Sequence, residues 1–386
     1  MALQVPRVGA QQKRPGGRSR SAPGKTPAEA SAASISSQTA AGLENYKFLF
    51  SFRHDDIVTC AAFSRDGRSL ATGSEAGTVI VVDLATQKQR KIESLHPDGN
   101  GVYVLSFSQD GELLLTAGSG SKNTGQIKIL QTSDYSIVQT LDAHLGHAVD
   151  FLQISNDKNW LVSADNTRIN VWDFRAKSVV RSFPRLDARL LFDGGRLLVM
   201  GVGDITNQPD SHFSRRFLPD GSILFVNITD GMITREIRTV SPQPIRGIAR
   251  VSGYDALVAL AQTKEGYTVH FIDGRNQTIL KSTPITPYQP EPGWQMLGTR
   301  RIDFALTENY YVAVYNDRSV THLIDYSSGK VSRFDHRSLI GFSFDHTGKR
   351  FAVLGGINNA ALTGSPEQHY WTVSVFSFDP KAAMKR

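Results

Sequence analysis

The stretch GHAVDFLQISNDKNWLVSADNTRINVWD, Gly146–Asp173, opens on Gly-His, closes on Trp-Asp and reads as strand and turn between the two dipeptides. Its grammar recurs elsewhere in the chain. RHDDIVTCAAFSRDGRSLATGSEAGTVIVVDL (Arg53–Leu84) runs from a His through an apolar alternation to Arg-Asp-Gly, then through Ser69–Ser74 and a Glu-Ala-Gly turn to Thr78–Asp83. A period-2 pattern broken by Asp-Gly and Ala-Gly turns predicts successive antiparallel hairpins. VLSFSQDGELLLTAGSG (Val104–Gly120) and GFSFDHTGKRFAVLGG (Gly341–Gly356) repeat it.

The end of the third strand in each repeat acts as a ruler. It falls at Val82-Asp83, Leu130-Gln131, Trp172-Asp173, Val226-Asn227, Ile272-Asp273, Ile324-Asp325 and Ser377, at intervals of 48, 42, 54, 46, 52 and 52 residues. Each interval is long enough for four short strands and their turns, and seven such units lie within the range of radially repeated β folds. Thirty-three Gly and 16 Pro among many Thr, Val, Ile and Phe agree with strands and turns rather than long helices.

Over about residues 46–380 the chain resembles the WD40-repeat proteins. The likeness is carried by Arg53–Asp83, Gly146–Asp173 and Gly341–Gly356, and between about 188 and 330 it rests on strand rhythm alone. The resemblance implies an all-β, seven-bladed propeller of four-stranded antiparallel blades. YKFLFSFR (Tyr46–Arg53) is an alternating strand with no blade of its own, and the last unit ends at WTVSVFSFDP (Trp371–Pro380). The expected closure pairs that first strand with the last blade, which removes an exposed edge.

The resemblance also implies a buried hydrogen-bonded chain of His, Ser or Thr, Asp and Trp within a blade, falling here on His147, Ser163, Asp165 and Trp172. Each buried polar group then has a partner. A Ser-His-Asp set invites a hydrolase reading. Its members lie on one repeat at structural spacing, with no oxyanion-hole candidate beside Ser163, so its expected role is structural. Blade one keeps His54 and Thr72 but has Ala76 and Val82 near the Asp and Trp positions. Blade two keeps His96 and Thr116 but has Leu130 at the Trp position.

Propeller loops alternate between two faces, and the long insertions share one of them. They are Gly118–Gly125 in blade two, Gly201–Gly221 in blade four, Ser282–Trp294 leading from blade five to six, and Gly355–Tyr370 in blade seven. The opposite turns are short: RDG, QDG, DGG, TEN and HTG. Loops in excess of structural need carry recognition, and aromatic residues and Arg anchor interfaces. The candidate partner-binding residues are therefore His212, Phe213, Arg215, Arg216, Tyr288, Trp294, His369 and Tyr370. Harmless drift in loop length is the plain alternative.

The function this predicts is a non-enzymatic scaffold or adaptor that presents the loops to one or more protein partners as part of a complex. A lactonase-type propeller enzyme is the contrasting reading, and it requires acid, His and Arg converging at the central mouth. His96, His144 and His336 lie near blade starts, yet no such set recurs. Arg215-Arg216 resembles the paired arginines of phosphoinositide-binding propellers but lacks the following glycine. No catalytic residue, metal ligand set, P-loop or cofactor motif is assigned.

Net charge is +7, of which +5 falls in residues 1–43, so the remainder is nearly neutral and nucleic acid is an expected partner only through that segment. Residues 1–43 read as a disordered basic tail, 44–380 as the propeller and 381–386 as a short terminal tail. No apolar run approaches the roughly 20 residues of a transmembrane helix, and no secretory signal is visible. Cys60 is the only cysteine and reads as a small core residue. The expected location is intracellular and cytoplasmic, with the tail as a solvated leader, presequence, import signal or docking arm.

Overall fold

In a computed structural model, the described residues lie between 46 and 378. Outside the description are 1–45, 94, 97–100, 120–123, 146, 186–188, 203–220, 239–243, 251–255, 264–266, 274–275, 277, 286–303, 307–310, 317–319, 326–330, 336–340, 348, 355–370 and 379–386. All the strands belong to one compact unit, Ala41–Arg386, while the other unit, Met1–Ala40, lies outside the described residues with the expected tail.

Among the described residues the secondary structure is strand, in seven four-stranded antiparallel sheets. Strand β1 (Tyr46–Arg53) precedes the first sheet, which is formed by β2 (Val58–Phe63), β3 (Ser69–Ser74), β4 (Val79–Asp83) and β5 (Gln89–Ile92). The second holds β6 (Val102–Phe107), β7 (Leu113–Ser119), β8 (Thr124–Gln131) and β9 (Ile137–Leu145), and the third β10 (Phe151–Ile154), β11 (Trp160–Ala164), β12 (Arg168–Asp173) and β13 (Ser178–Pro184). The fourth holds β14 (Arg189–Phe192), β15 (Leu197–Gly201), β16 (Ser222–Asn227) and β17 (Ile233–Arg238). The fifth holds β18 (Ile245–Arg250), β19 (Ala256–Gln262), β20 (Tyr267–Asp273) and β21 (Thr278–Ile285). The sixth holds β22 (Phe304–Leu306), β23 (Tyr311–Asn316), β24 (Val320–Asp325) and β25 (Val331–Asp335). The last sheet joins β26 (Gly341–Phe344), β27 (Arg350–Leu354) and β28 (Thr372–Phe378) to β1, whose Tyr46 lies opposite Phe378 and Arg53 opposite Thr372.

Strands β4, β8, β12, β16, β20 and β24 end at the six residues marked by the ruler, and β28 ends one residue beyond Ser377. The core lies between sheets rather than within them. Val162, Ile169 and Val171 of the third sheet pack on Phe192, Leu198 and Leu224 of the fourth. Equivalent clusters join the first sheet to the second, the second to the third, the fourth to the fifth and the last to the first. Aliphatic residues on both faces of the middle strands are what such a stack requires, and it is why β4 reads as an unbroken VIVV.

Side chains at one ladder position tie neighbouring sheets. Arg90, opposite Val81, donates to the Asp134 carbonyl of the second sheet and lies over the Tyr135 ring. Gln139, opposite Ile129, reaches the Phe174 carbonyl at 3.4 Å, and Arg181, opposite Val171, reaches that of Thr229 at 3.0 Å. One residue earlier, the outer strands of the second, third, fourth, fifth and last sheets carry a β-bulge, leaving Val138, Val180, Thr234, Leu280 and Leu49 without a ladder partner. A bulge bends an edge strand and blunts its pairing with another chain, which suits the exposed aliphatic residues there.

Candidate functional site

Strand β11 carries Ser163 opposite Asn170, and two residues further on the chain turns at Asp165. Asp165 Oδ1 accepts from the Thr167 and Arg168 amides at 2.6 and 2.8 Å and from the Thr167 hydroxyl at 2.7 Å. Its other oxygen lies 2.8 Å from His144 Nδ1, His144 Nε2 lies 2.9 Å from Ser163 Oγ, and the Trp172 indole donates to that oxygen at 2.9 Å. The histidine is His144 at the end of β9, and not His147 as the sequence implied. His147 is half-buried and lies two residues past the end of β9.

Spacing carries a signal that distinguishes the two histidines. His54 meets the Thr72 hydroxyl at 2.7 Å over 18 residues, and His96 meets that of Thr116 at 2.9 Å over 20. His144 to Ser163 spans 19 residues, whereas His147 to Ser163 spans 16. The aspartate position differs from the expected one as well. Thr72 and Thr116 occupy the ladder place of Ser163, so the counterparts of Asp165 are Ser74 and Gly118 rather than Ala76. A side chain at Gly118 would collide with the Gly101 carbonyl, which excludes a carboxylate there. In the first sheet the loss of the carboxylate leaves the buried His54 Nδ1 without a hydrogen-bond partner. The tryptophan position was legible: Val82 and Leu130 lie opposite Leu70 and Leu114 as Trp172 lies opposite Leu161.

The electrostatics make this chain structural. Burial pushes the His144 imidazole below its ordinary range, offset in part by Asp165, so the ring is neutral near pH 7. Burial opposes the Asp165 charge, but the Thr167 and Arg168 hydrogen bonds outweigh it and hold the carboxyl below its usual value. Neutral His144 donates from Nδ1 to Asp165 and accepts the Ser163 hydroxyl at Nε2, while Ser163 accepts the indole N–H. Every polar atom is matched. Ser163, Asp165 and His144 are 0, 0 and 1% exposed, so no substrate carbonyl reaches the hydroxyl. Beside this group the buried Arg185 donates to the Asp165 carbonyl at 2.6 Å and to the Asp150 carboxylate, a contact the sequence did not reveal. Cys60 carries a half-buried thiol that donates to the Val102 carbonyl at 3.4 Å and packs against the core between the first two sheets.

The predicted partner-binding residues His212, Phe213, Arg215, Arg216, Tyr288, Trp294, His369 and Tyr370 all lie outside the described residues. The strands that flank their segments are described. Strand β15 ends at Gly201 and β16 starts only at Ser222. Comparable gaps separate Ile285 of β21 from Phe304 of β22, and Leu354 of β27 from Thr372 of β28. Val202 holds one stem by donating to the Ser222 carbonyl at 2.8 Å and accepting from the Ile245 amide at 3.0 Å. In the second sheet the expected insertion contracts. Ser119 and Gly125 are paired, leaving only residues 120–123 between β7 and β8.

Among the described residues no cluster of His, Cys, Asp and Glu could hold a metal ion, and no helix is long and apolar enough to cross a membrane. The profile of the family described as WD domain, G-beta repeat matches residues 46–83 and 135–173. The chain is 37% identical over 115 residues to a WD repeat-containing protein, SL1-17, of Schistosoma mansoni, covering 30% of this chain and 36% of that protein. It is 29% identical over 182 residues to the small ribosomal subunit protein RACK1 of Medicago sativa, covering 47% and 52%. It is 26% identical over 134 residues to the WD repeat-containing protein 26 homolog of Drosophila melanogaster, covering 35% and 20%. The chain thus spans about half or less of the length of the relatives it matches.

Proposed function

We propose, on the premise that the chain belongs to the WD40-repeat family, that it is a non-enzymatic scaffold built on a closed seven-bladed propeller. Closure is supported by the pairing of β1 with β28. It is supported also by the contacts of first strands, β2 with β6 and β26, β6 with β10, and β14, β18, β22 and β26 in turn. The third and fourth sheets meet through their shared core.

The observation that carries the functional reading is an asymmetry in the connections. Every turn from a first to a second strand, or from a third strand to the fourth of the same sheet, is short. The three long spans, after β15, β21 and β27, all join second to third strands or one sheet to the next, which in a propeller is a single face. A rigid frame with length confined to one face is a recognition platform. The sealed Ser163 set argues against hydrolysis. The partner is a protein, gripped by Phe213, Arg215, Trp294 and their neighbours, and the expected location is intracellular.

Affinity purification of the wild type beside an F213A, R215A, W294A variant tests this. The expected result is loss of the recovered proteins at unchanged thermal stability. Recovery of the same proteins by both forms would sink the reading.

A further inference from the structure

On the face opposite the long segments, the turns between first and second strands surround a cavity of about 360 Å³. It lies between the first four sheets, and Ser106 of β6, Gln153 of β10 and Leu191 of β14 form its wall. Its rim is the turn residues Arg65, Gln109, Asn156 and Asp193. The size falls at the lower end of ligand sites, roughly 300–1,000 Å³.

The rim is held in place before any ligand arrives. In three consecutive turns a serine hydroxyl donates to the aspartate two residues on: Ser64 to Asp66 at 2.6 Å, Ser108 to Asp110 at 2.6 Å and Ser155 to Asp157 at 2.5 Å. Lys158 bridges from the third sheet to Asp110 and Glu112 of the second, at 2.5 Å each. The Asn156 amide donates to the Gly194 carbonyl of the fourth sheet at 2.7 Å, and Arg350 donates to that of Gly67 at 2.8 Å. Ordering such turns on binding therefore costs little.

Within this fixed rim the carboxamides are left over. Gln153 uses its oxygen to accept from the Phe192 amide at 3.2 Å, but its NH2 group makes no hydrogen bond among the described residues. The side chains of Gln109 and Asn156 make none among them either. Arg65 and Asp193 carry opposite charges, so the lining has no net charge to select an ion. A carboxamide offers one acceptor and a pair of donors, the complement of a peptide group.

We propose that this mouth is a second binding site, on the face away from the long segments, that takes an uncharged peptide segment of a partner through its main-chain amides. Phe107 and Leu191 supply apolar surface for the backbone to lie on, and Gln109, Gln153 and Asn156 pair with its N–H and C=O groups.

A heptapeptide library displayed on phage and panned on the full chain is the probe. Enriched peptides are expected to bind Q109A and N156A at least about tenfold more weakly, and F213A, W294A as tightly as the wild type. Gln109 is an exposed turn residue, so Q109A keeps the fold, and a thermal melt verifies it. The proposal is overturned if no peptide is enriched, or if enriched peptides ignore Gln109 and Asn156. It is overturned equally if maltotriose, a neutral polyol of similar hydrogen-bonding capacity, binds in a Gln109-dependent manner and the peptides do not.

Discussion

His144 and His147 are three residues apart, yet only one of them is tied into the core. Replacing His144 with Ala takes the donor from Asp165 and the acceptor from Ser163, and both remain buried. The expected loss is about 2–4 kcal/mol of unfolding free energy. Replacing His147, which is half-buried and outside the chain, is expected to cost less than about 0.5 kcal/mol. Urea unfolding of H144A and H147A measures both, and the reverse order would restore the Gly-His histidine to the network. That assignment was legible only in part. The residue types of the chain could be read from Ser163, Asp165 and Trp172, but choosing the histidine needed the strand end. A one-dimensional motif has no means of saying that β9 extends to Leu145. Ser74 shows the same limit, because the motif places the aspartate counterpart at Ala76, two residues beyond the position that ladder register fixes.

Strand β1 is the edge strand of the last sheet: it pairs with β28 along seven residue pairs, and Phe48 packs edge-on against Phe376 with ring centroids 5.7 Å apart. Deleting residues 1–53 uncovers the whole edge of β28 and removes Phe52 from the core shared by the last and first sheets. The expected outcome is a chain that aggregates or fails to unfold cooperatively, while deletion of 1–43 leaves a cooperative transition. Size-exclusion chromatography and thermal melts of the two truncations check this, and a monomeric, cooperative protein lacking β1 would refute it. Strands were the most legible elements, since alternation and turn residues mark them directly, and six of the third-strand ends fell on the expected residue. The expected insertion of the second sheet contracts for a physical reason. Gly118 and Gly125 look like loop residues, but they are strand glycines. A Cβ on Gly125 would come within 2.8 Å of the His147 carbonyl and 2.9 Å of Val149 Cγ2. Close packing, rather than a turn, requires glycine there.

Across the whole molecule, buried histidines in several sheets give stability a common pH dependence. Burial holds His54 at about 4 and His96 at about 3, and lowers His144 and His270 as well. Lys91 adds to the depression at His54 against the opposing pull of Asp55, and Lys128 adds to it at His96. Each of these groups is neutral in the fold and titrates near 6.5 when unfolded, so below that value the unfolded chain binds more protons. Their contribution is complete above about pH 6.5 and is lost as pH falls towards 4, at up to about 1.4 kcal/mol per pH unit for each histidine. The urea midpoint is expected to be level between about pH 7 and 8 and to fall steadily below about 6.5. The slope should flatten in an H54Q, H96Q variant, and a level profile from pH 7 to 5 contradicts the argument.

What the sequence alone determined is the repeat: strand rhythm, six third-strand ends to the residue and the seventh to within one, and a first strand with no unit of its own. Each of these follows from local alternation and turn chemistry, which operate over a few residues. Three things waited for the tertiary structure: which histidine enters the chain of Ser163, Asp165 and Trp172, that Arg185 joins it, and that four turns enclose a cavity lined by carboxamides. These depend on register and on contacts between positions far apart in the chain, such as His144 with Ser163 and Arg185 with Asp165. No local pattern encodes them, because a shift of two residues in a ladder leaves the alternation intact and changes every partner.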